Sequence, residues 1–131
     1  MKQLYLFILI LPLILISADS ADVIDKTAEL LKDGNVHELA ESFSSSIEMT
    51  IMDDQNVYSG PQAEQVLTNF FKHCQPKAVK IIHRITSNVN YRYAVVILNT
   101  TNGAYRTSFS LKSVNGKFEM DELRIEAEKA K

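Results

Sequence analysis

The side chains best equipped for chemistry in this 131-residue chain are His83, Tyr93 and Tyr105, which alternation along their strands places together on one sheet face. An imidazole titrates near neutral pH and can move a proton or hold a polar group. A phenol at the edge of an apolar wall can orient one hydrogen-bonding atom of a ligand. General-base chemistry at such a wall wants a carboxylate close by. There is no Asp or Glu between Gln65 and Phe118, so Glu48, Asp53, Asp54, Asp121 and Glu122 remain as acids that reach only a rim. Without a partner acid in its own strands, His83 reads as a structural histidine ahead of a catalytic one. His37, His73 and His83 lack ligand spacing such as His-x-x-x-His, so neither a metal site nor a cofactor is expected. Cys74 is the single cysteine; it falls on an apolar helix stripe, where it packs as a small hydrophobe.

The element that must position these groups runs from Lys77 to Glu126. Four β-branched and aromatic runs, Val79–Ile85, Tyr91–Asn99, Tyr105–Lys112 and Phe118–Ile125, are separated by Asn88-Val89-Asn90, Asn102-Gly103 and Asn115-Gly116. Asn-Gly tolerates the positive φ of a type I′ turn, so the segment predicts an antiparallel meander. Read by alternation, Val79, Ile81, His83 and Ile85, then Tyr91, Tyr93, Val95 and Ile97, then Tyr105, Thr107, Phe109 and Leu111 share the helix-facing side, with Phe118 and Met120. The opposite face then carries Lys80, Ile82, Arg84, Arg92, Ala94, Val96, Leu98, Arg106 and Lys112. In the last run the apolar set slips from Phe118/Met120 to Leu123/Ile125, which predicts a bulge near Asp121-Glu122.

The front half supplies helices. Val23, Ile24, Thr27, Leu30 and Leu31 form one stripe of a helix over Asp22–Lys32, with Gly34 placed to end it. Asn35, with Glu38 three residues on, caps a short second helix whose apolar side is Val36, Leu39, Ala40 and Phe43; Ser44-Ser45-Ser46 ends it. Ile47–Ile51 alternates as a strand, and Val57-Tyr58-Ser59 is its short partner across a loose loop. Gly60-Pro61 opens the longest helix, with the stripe Val66, Leu67, Phe70, Phe71 and Cys74, and Pro76 stops it. The fold class is therefore α+β: a curved antiparallel sheet, short hairpin plus four-stranded meander, wrapped around three helices.

Lys2 precedes a thirteen-residue apolar run, Leu4–Ile16, followed by Ser17-Ala18-Asp19-Ser20-Ala21. That is the layout of a secretory signal peptide over residues 1–20, cleaved after Ala18 or Ser20, leaving a single domain over 21–131. The run is short of the roughly 20 residues a membrane-spanning helix needs, so no stable membrane anchor is expected after cleavage. The expected destination is the bacterial periplasm or the medium. Charge is unevenly spread: Asp19–Glu64 holds eleven acids against two bases, Gln65–Phe118 eight bases and no acid, Glu119–Lys131 five acids and three bases. Export, an acidic balance and the lack of a recognition motif speak against nucleic acid as a partner.

The two amphipathic helices, the hairpin, the entry Tyr58-Ser59-Gly60-Pro61 into a helix with Phe70-Phe71, and the meander ending Gly116-Lys117-Phe118-Glu119-Met120-Asp121-Glu122-Leu123-Arg124-Ile125 resemble the nuclear-transport-factor-2-like (cystatin-like) cone. Within it, the chain is most similar to an exported bacterial family of unknown function. The resemblance implies a sheet curled around the long helix with a pocket at its open end, and members that range from isomerases and dehydratases to plain binding domains. On that basis Met49, Ile81, His83, Tyr93, Tyr105, Phe109 and Met120 are the candidate pocket residues for a small apolar or amphipathic ligand or a peptide. An isomerase- or hydrolyase-like enzyme acting through His83 is the alternative. Ile82, Arg84, Arg92, Ala94, Val96, Leu98 and Arg106 are the candidates for an outer face that forms a homodimer or meets a protein partner.

Overall fold

The computed structural model describes residues 22–129; the expected signal peptide lies outside them. Helix α1 (Val23–Asp33) starts where the Asp22 carboxylate accepts from the Ile24 amide, and stops at Gly34, whose φ of 65° few other residues tolerate. Helix α2 (Val36–Ala40) is capped by Asn35, whose Oδ1 accepts from the Glu38 amide. The chain then turns directly into strand β1 (Phe43–Ile51). Phe43 and the three serines therefore belong to the sheet and not to the helix side and helix end expected of them. Serines are poor helix formers, and here they extend the strand that the β2 pairing holds at Ser46↔Ser59.

Strand β2 (Asp54–Ser59) pairs back onto β1 from Ile51↔Asp54 onward, so the loose loop is in fact a two-residue turn with Met52 at φ 58°. Helix α3 (Gly60–His73) opens on a complete capping box, Ser59 Oγ accepting from the Gln62 amide while Gln62 Oε1 accepts from the Ser59 amide. The meander follows as β3 (Pro76–Ile85), β4 (Tyr91–Thr100), β5 (Gly103–Val114) and β6 (Lys117–Ala127). Of the two Asn-Gly turns, Asn115-Gly116 has both residues at positive φ, as a type I′ turn requires. At the other, Thr101 and Asn102 are the turn residues and Gly103 pairs with Thr100 at φ 108°.

The six strands form one sheet in the order β2-β1-β6-β5-β4-β3. The meander is antiparallel throughout, but the hairpin joins it through a parallel β1–β6 pair, so the sheet is mixed. Asp121 is the extra residue of the bulge in β6, between Ser110↔Glu122 and Leu111↔Met120, where the slipped apolar pattern demanded one. It accepts a 2.6 Å hydrogen bond from Ser110.

Two side assignments are reversed. Ala94, Val96 and Leu98 pair with Phe109, Thr107 and Tyr105 and point at the helices, each with no exposed surface. Tyr93, Val95 and Ile97 take the outer face. Both alternate sets of β4 are apolar, so alternation carries no information there and the register with β5 decides. In β3 a bulge at Ile82 separates Ile81↔Val96 from His83↔Val95. It turns His83 outward and returns Arg84 to the helix side, where both guanidinium Nη atoms donate to Asp25 of α1 at 2.9 and 3.1 Å. Arg92, paired with Leu111, also lies on the helix side: its Nε is 3.4 Å from the Asp22 carboxylate and its guanidinium stacks 5.2 Å from the Phe118 ring centre. Lys80 and Arg106 stay outside, in one row with Ile97 and Glu126. Lys112, paired with Tyr91 and Glu119, also stays outside, so three of the five bases expected on that face remain there.

Candidate binding cleft

The inner face of the sheet is covered by α1 over β3 and β4, and by α3 over β1 and β2. Between α3 and the β1–β2 hairpin the packing opens into a cleft of 280 Å³. Alternation in β1 points Met49 and Ile51 inward, and the register places Asp54 and Tyr58 of β2 on the same side. From α3, Val66, Asn69, Phe70 and His73 face them, the i, i+3, i+4, i+7 stripe of one helix side. The walls are apolar and the polar groups sit at their margin, the usual make-up of a small-ligand site.

The polar groups have a definite character. His73 Nδ1 lies 3.0 Å from the Asn69 carbonyl oxygen. A carbonyl only accepts, so Nδ1 donates and Nε2 of the neutral ring is left as an acceptor. Asp54 forms no ion pair among the described residues, and neither Lys nor Arg lines the cleft. Behind the cleft, the Phe70 ring meets Tyr105 edge-on, at 84° and 5.2 Å between centroids. Tyr105 Oη sits 3.3 Å from the buried Cys74 Sγ and donates to the Asn102 carbonyl at 3.4 Å. The hydrogen bond to Cys74, followed by burial, pushes the Tyr105 phenol above its ordinary value. One row further along β5, Thr107 is wholly buried and its hydroxyl has no hydrogen-bond partner among the described residues.

Of the expected pocket residues, Met49 lines the cleft. Ile81, Tyr105, Phe109 and Met120 lie on the inner side as packed core. His83 and Tyr93 are on the outer face and cannot reach it. Of the expected outer-face residues only Ile82 and Arg106 remain exposed outside; Ala94, Val96 and Leu98 are core, and Arg84 and Arg92 are tied to α1. Ile51, Tyr58, Val66, Asn69, Phe70 and His73 also line the cleft and are not among the pocket residues expected from sequence. The signal was present in the helical spacing of 66, 69, 70 and 73, but it becomes legible only once β2 is known to begin at Asp54. Among the described residues no cluster of three metal-capable side chains forms, and no helix is long and apolar enough to cross a membrane.

A curled mixed sheet around a long helix, with a cleft between that helix and the terminal hairpin, defines the nuclear-transport-factor-2-like, cystatin-like class of α+β cone. The chain matches the sequence profile of DUF4783, a domain of unknown function, over residues 24–126 and belongs to that family. A DUF4783 protein of Bacteroides uniformis superposes with a TM-score of 0.78 at 20% identity, covering 83% of this chain and all of that one. A cystatin-like domain of unknown function from Nostoc punctiforme gives 0.64 at 7% identity, over 84% of this chain and 75% of that one. A protein bearing the name NTF2, Rd1NTF2_05 with five substitutions, gives 0.62 at 14% identity, over 82% and 96%. No curated protein matches the chain in sequence.

Proposed function

We propose that this protein is an exported, non-catalytic binding domain that holds a small apolar or amphipathic molecule, or a peptide, in the cleft between α3 and the β1–β2 hairpin. The observation that carries this reading is an opening in the core with Met49, Ile51, Val66 and Phe70 as walls and a few polar groups at the edge. Export rests on Lys2 and the apolar run that follows it. The enzyme alternative loses its main residue, because His83 lies across the sheet from the cleft and its ring makes no hydrogen bond or ion pair among the described residues. Native mass spectrometry of protein purified from its source envelope tests the reading. The expected result is a retained small molecule, absent from a Val66→Trp variant whose indole fills the cleft. Identical spectra of bare protein from both, with no compound stabilising one over the other, would overturn it.

A second reading concerns the outer face. Ile82 and Ile85 are 43% and 39% exposed, and Tyr93 and Ile97 lie beside them on β4, framed by Lys80 and Arg106. Such a strip suits a second copy of the chain packed sheet to sheet. Light scattering decides: a monomer at high protein concentration, unchanged by Ile97→Lys, disposes of it.

A further inference from the structure

We infer that the cleft selects an amphipathic cation: a primary ammonium or similar donor-rich head on an apolar tail. This rests on the reading of the cleft as a ligand site and names the class of ligand it takes. Three features of the margin point the same way. Asp54 is a carboxylate on the inner face of β2 with no cationic partner among the described residues. His73, whose Nδ1 donates to the Asn69 carbonyl, keeps Nε2 as an acceptor in the neutral form of the ring. His73 occupies the last turn of α3, which begins just after Asn69, and there the aligned peptide dipoles leave partial negative charge.

The charges on the surrounding elements do not reverse this balance. Glu48 of β1 points to the outer face, and Glu64 of α3 is paired with His37 at 2.9 Å. Lys72 of α3 lines a different hollow, on the α1 side of the helix. The walls add to the preference, since Tyr58 and Phe70 present aromatic rings to a cation that enters between them. The cleft of 280 Å³ is open to solvent, so it admits a short apolar tail while the head stays at the margin.

The test compares hexylammonium, hexanol and hexanoate by isothermal titration at low and high salt, on the wild type and on Asp54→Asn. The head groups differ in charge while the tail stays the same. The expected order is hexylammonium tighter than hexanol by about threefold, given an exposed carboxylate, with hexanoate weakest. The gap between ammonium and alcohol should narrow in Asp54→Asn and in high salt. Equal binding of ammonium and alcohol to the wild type, or an unchanged gap in Asp54→Asn, overturns the charge selection while leaving the cleft as an apolar site. Failure of all three probes to distinguish the wild type from Val66→Trp would instead bring down the ligand-site reading itself.

Discussion

Replacing Thr107 with Val should make this protein more stable, and replacing Thr27 with Val should make it less so, although both threonines are buried. Thr107 has no exposed surface, stands between Val96 and Ile125 in the sheet, and its Oγ1 has no hydrogen-bond partner among the described residues. Thr27 is 4% exposed and its hydroxyl donates to the Val23 carbonyl at 2.8 Å. A buried hydroxyl without a partner costs about 1–3 kcal/mol, and exchanging it for a methyl of nearly the same volume removes that cost without opening a cavity. The expected gain at position 107 is about 1–2 kcal/mol; the expected loss at position 27 is about 1 kcal/mol, the net worth of one hydrogen bond. In a domain of this size each kcal/mol moves the melting temperature by roughly 4 °C. Urea unfolding followed by far-ultraviolet circular dichroism measures both, and the slope against urea should stay at the wild-type value while the midpoints move in opposite directions. If Thr107→Val lowers the midpoint by as much as Thr27→Val does, the hydroxyl is bonded in solution and the reasoning fails.

Three further substitutions bear on the placement of the strands. Leu98→Ala should cost about 2–5 kcal/mol, because the side chain is wholly buried beneath the helices and leaves a cavity; a loss under 0.5 kcal/mol in chemical denaturation would return β4 to the opposite face. His83→Gln should leave the denaturation midpoint and ligand retention at wild-type values, since the ring is exposed on the outer sheet. The Arg84 hydrogen bonds lower the Asp25 carboxyl below its usual value, so that pair contributes stability above the unfolded carboxylate range and loses it as pH falls through the lowered folded value. Both side chains are 42% exposed, which holds the contribution under about 1 kcal/mol. Stability of Arg84→Ala should therefore trail the wild type at neutral pH and converge with it as acid protonates the Asp25 carboxyl; curves that stay parallel down to acid unfolding would contradict the assignment.

Much of the architecture is written in local patterns because each rests on interactions within a few residues. Helix α1 begins at Asp22 and ends at Gly34 by capping and φ preference alone, and α3 begins at Ser59 because its hydroxyl and Gln62 satisfy each other's amides. The bulge at Asp121 was legible because an apolar pattern that slips by one residue can keep its face only by adding a residue. The turn at Asn115-Gly116 likewise follows from two residues that tolerate positive φ.

The cleft was not written that way. Its position depends on which side of β4 packs on α1, on a bulge at Ile82 that the alternation of β3 does not announce, and on the register that starts β2 at Asp54. A strand apolar on both faces is compatible with either orientation, and only the sum of contacts with β5 and α1 chooses between them. Sequence alone determined the order of helices and strands, the helix caps and the α+β class. The tertiary structure alone decided that His83 looks outward while Asp54, Tyr58 and His73 share an opening, because side-chain direction in a sheet is set by pairing across strands distant in the chain.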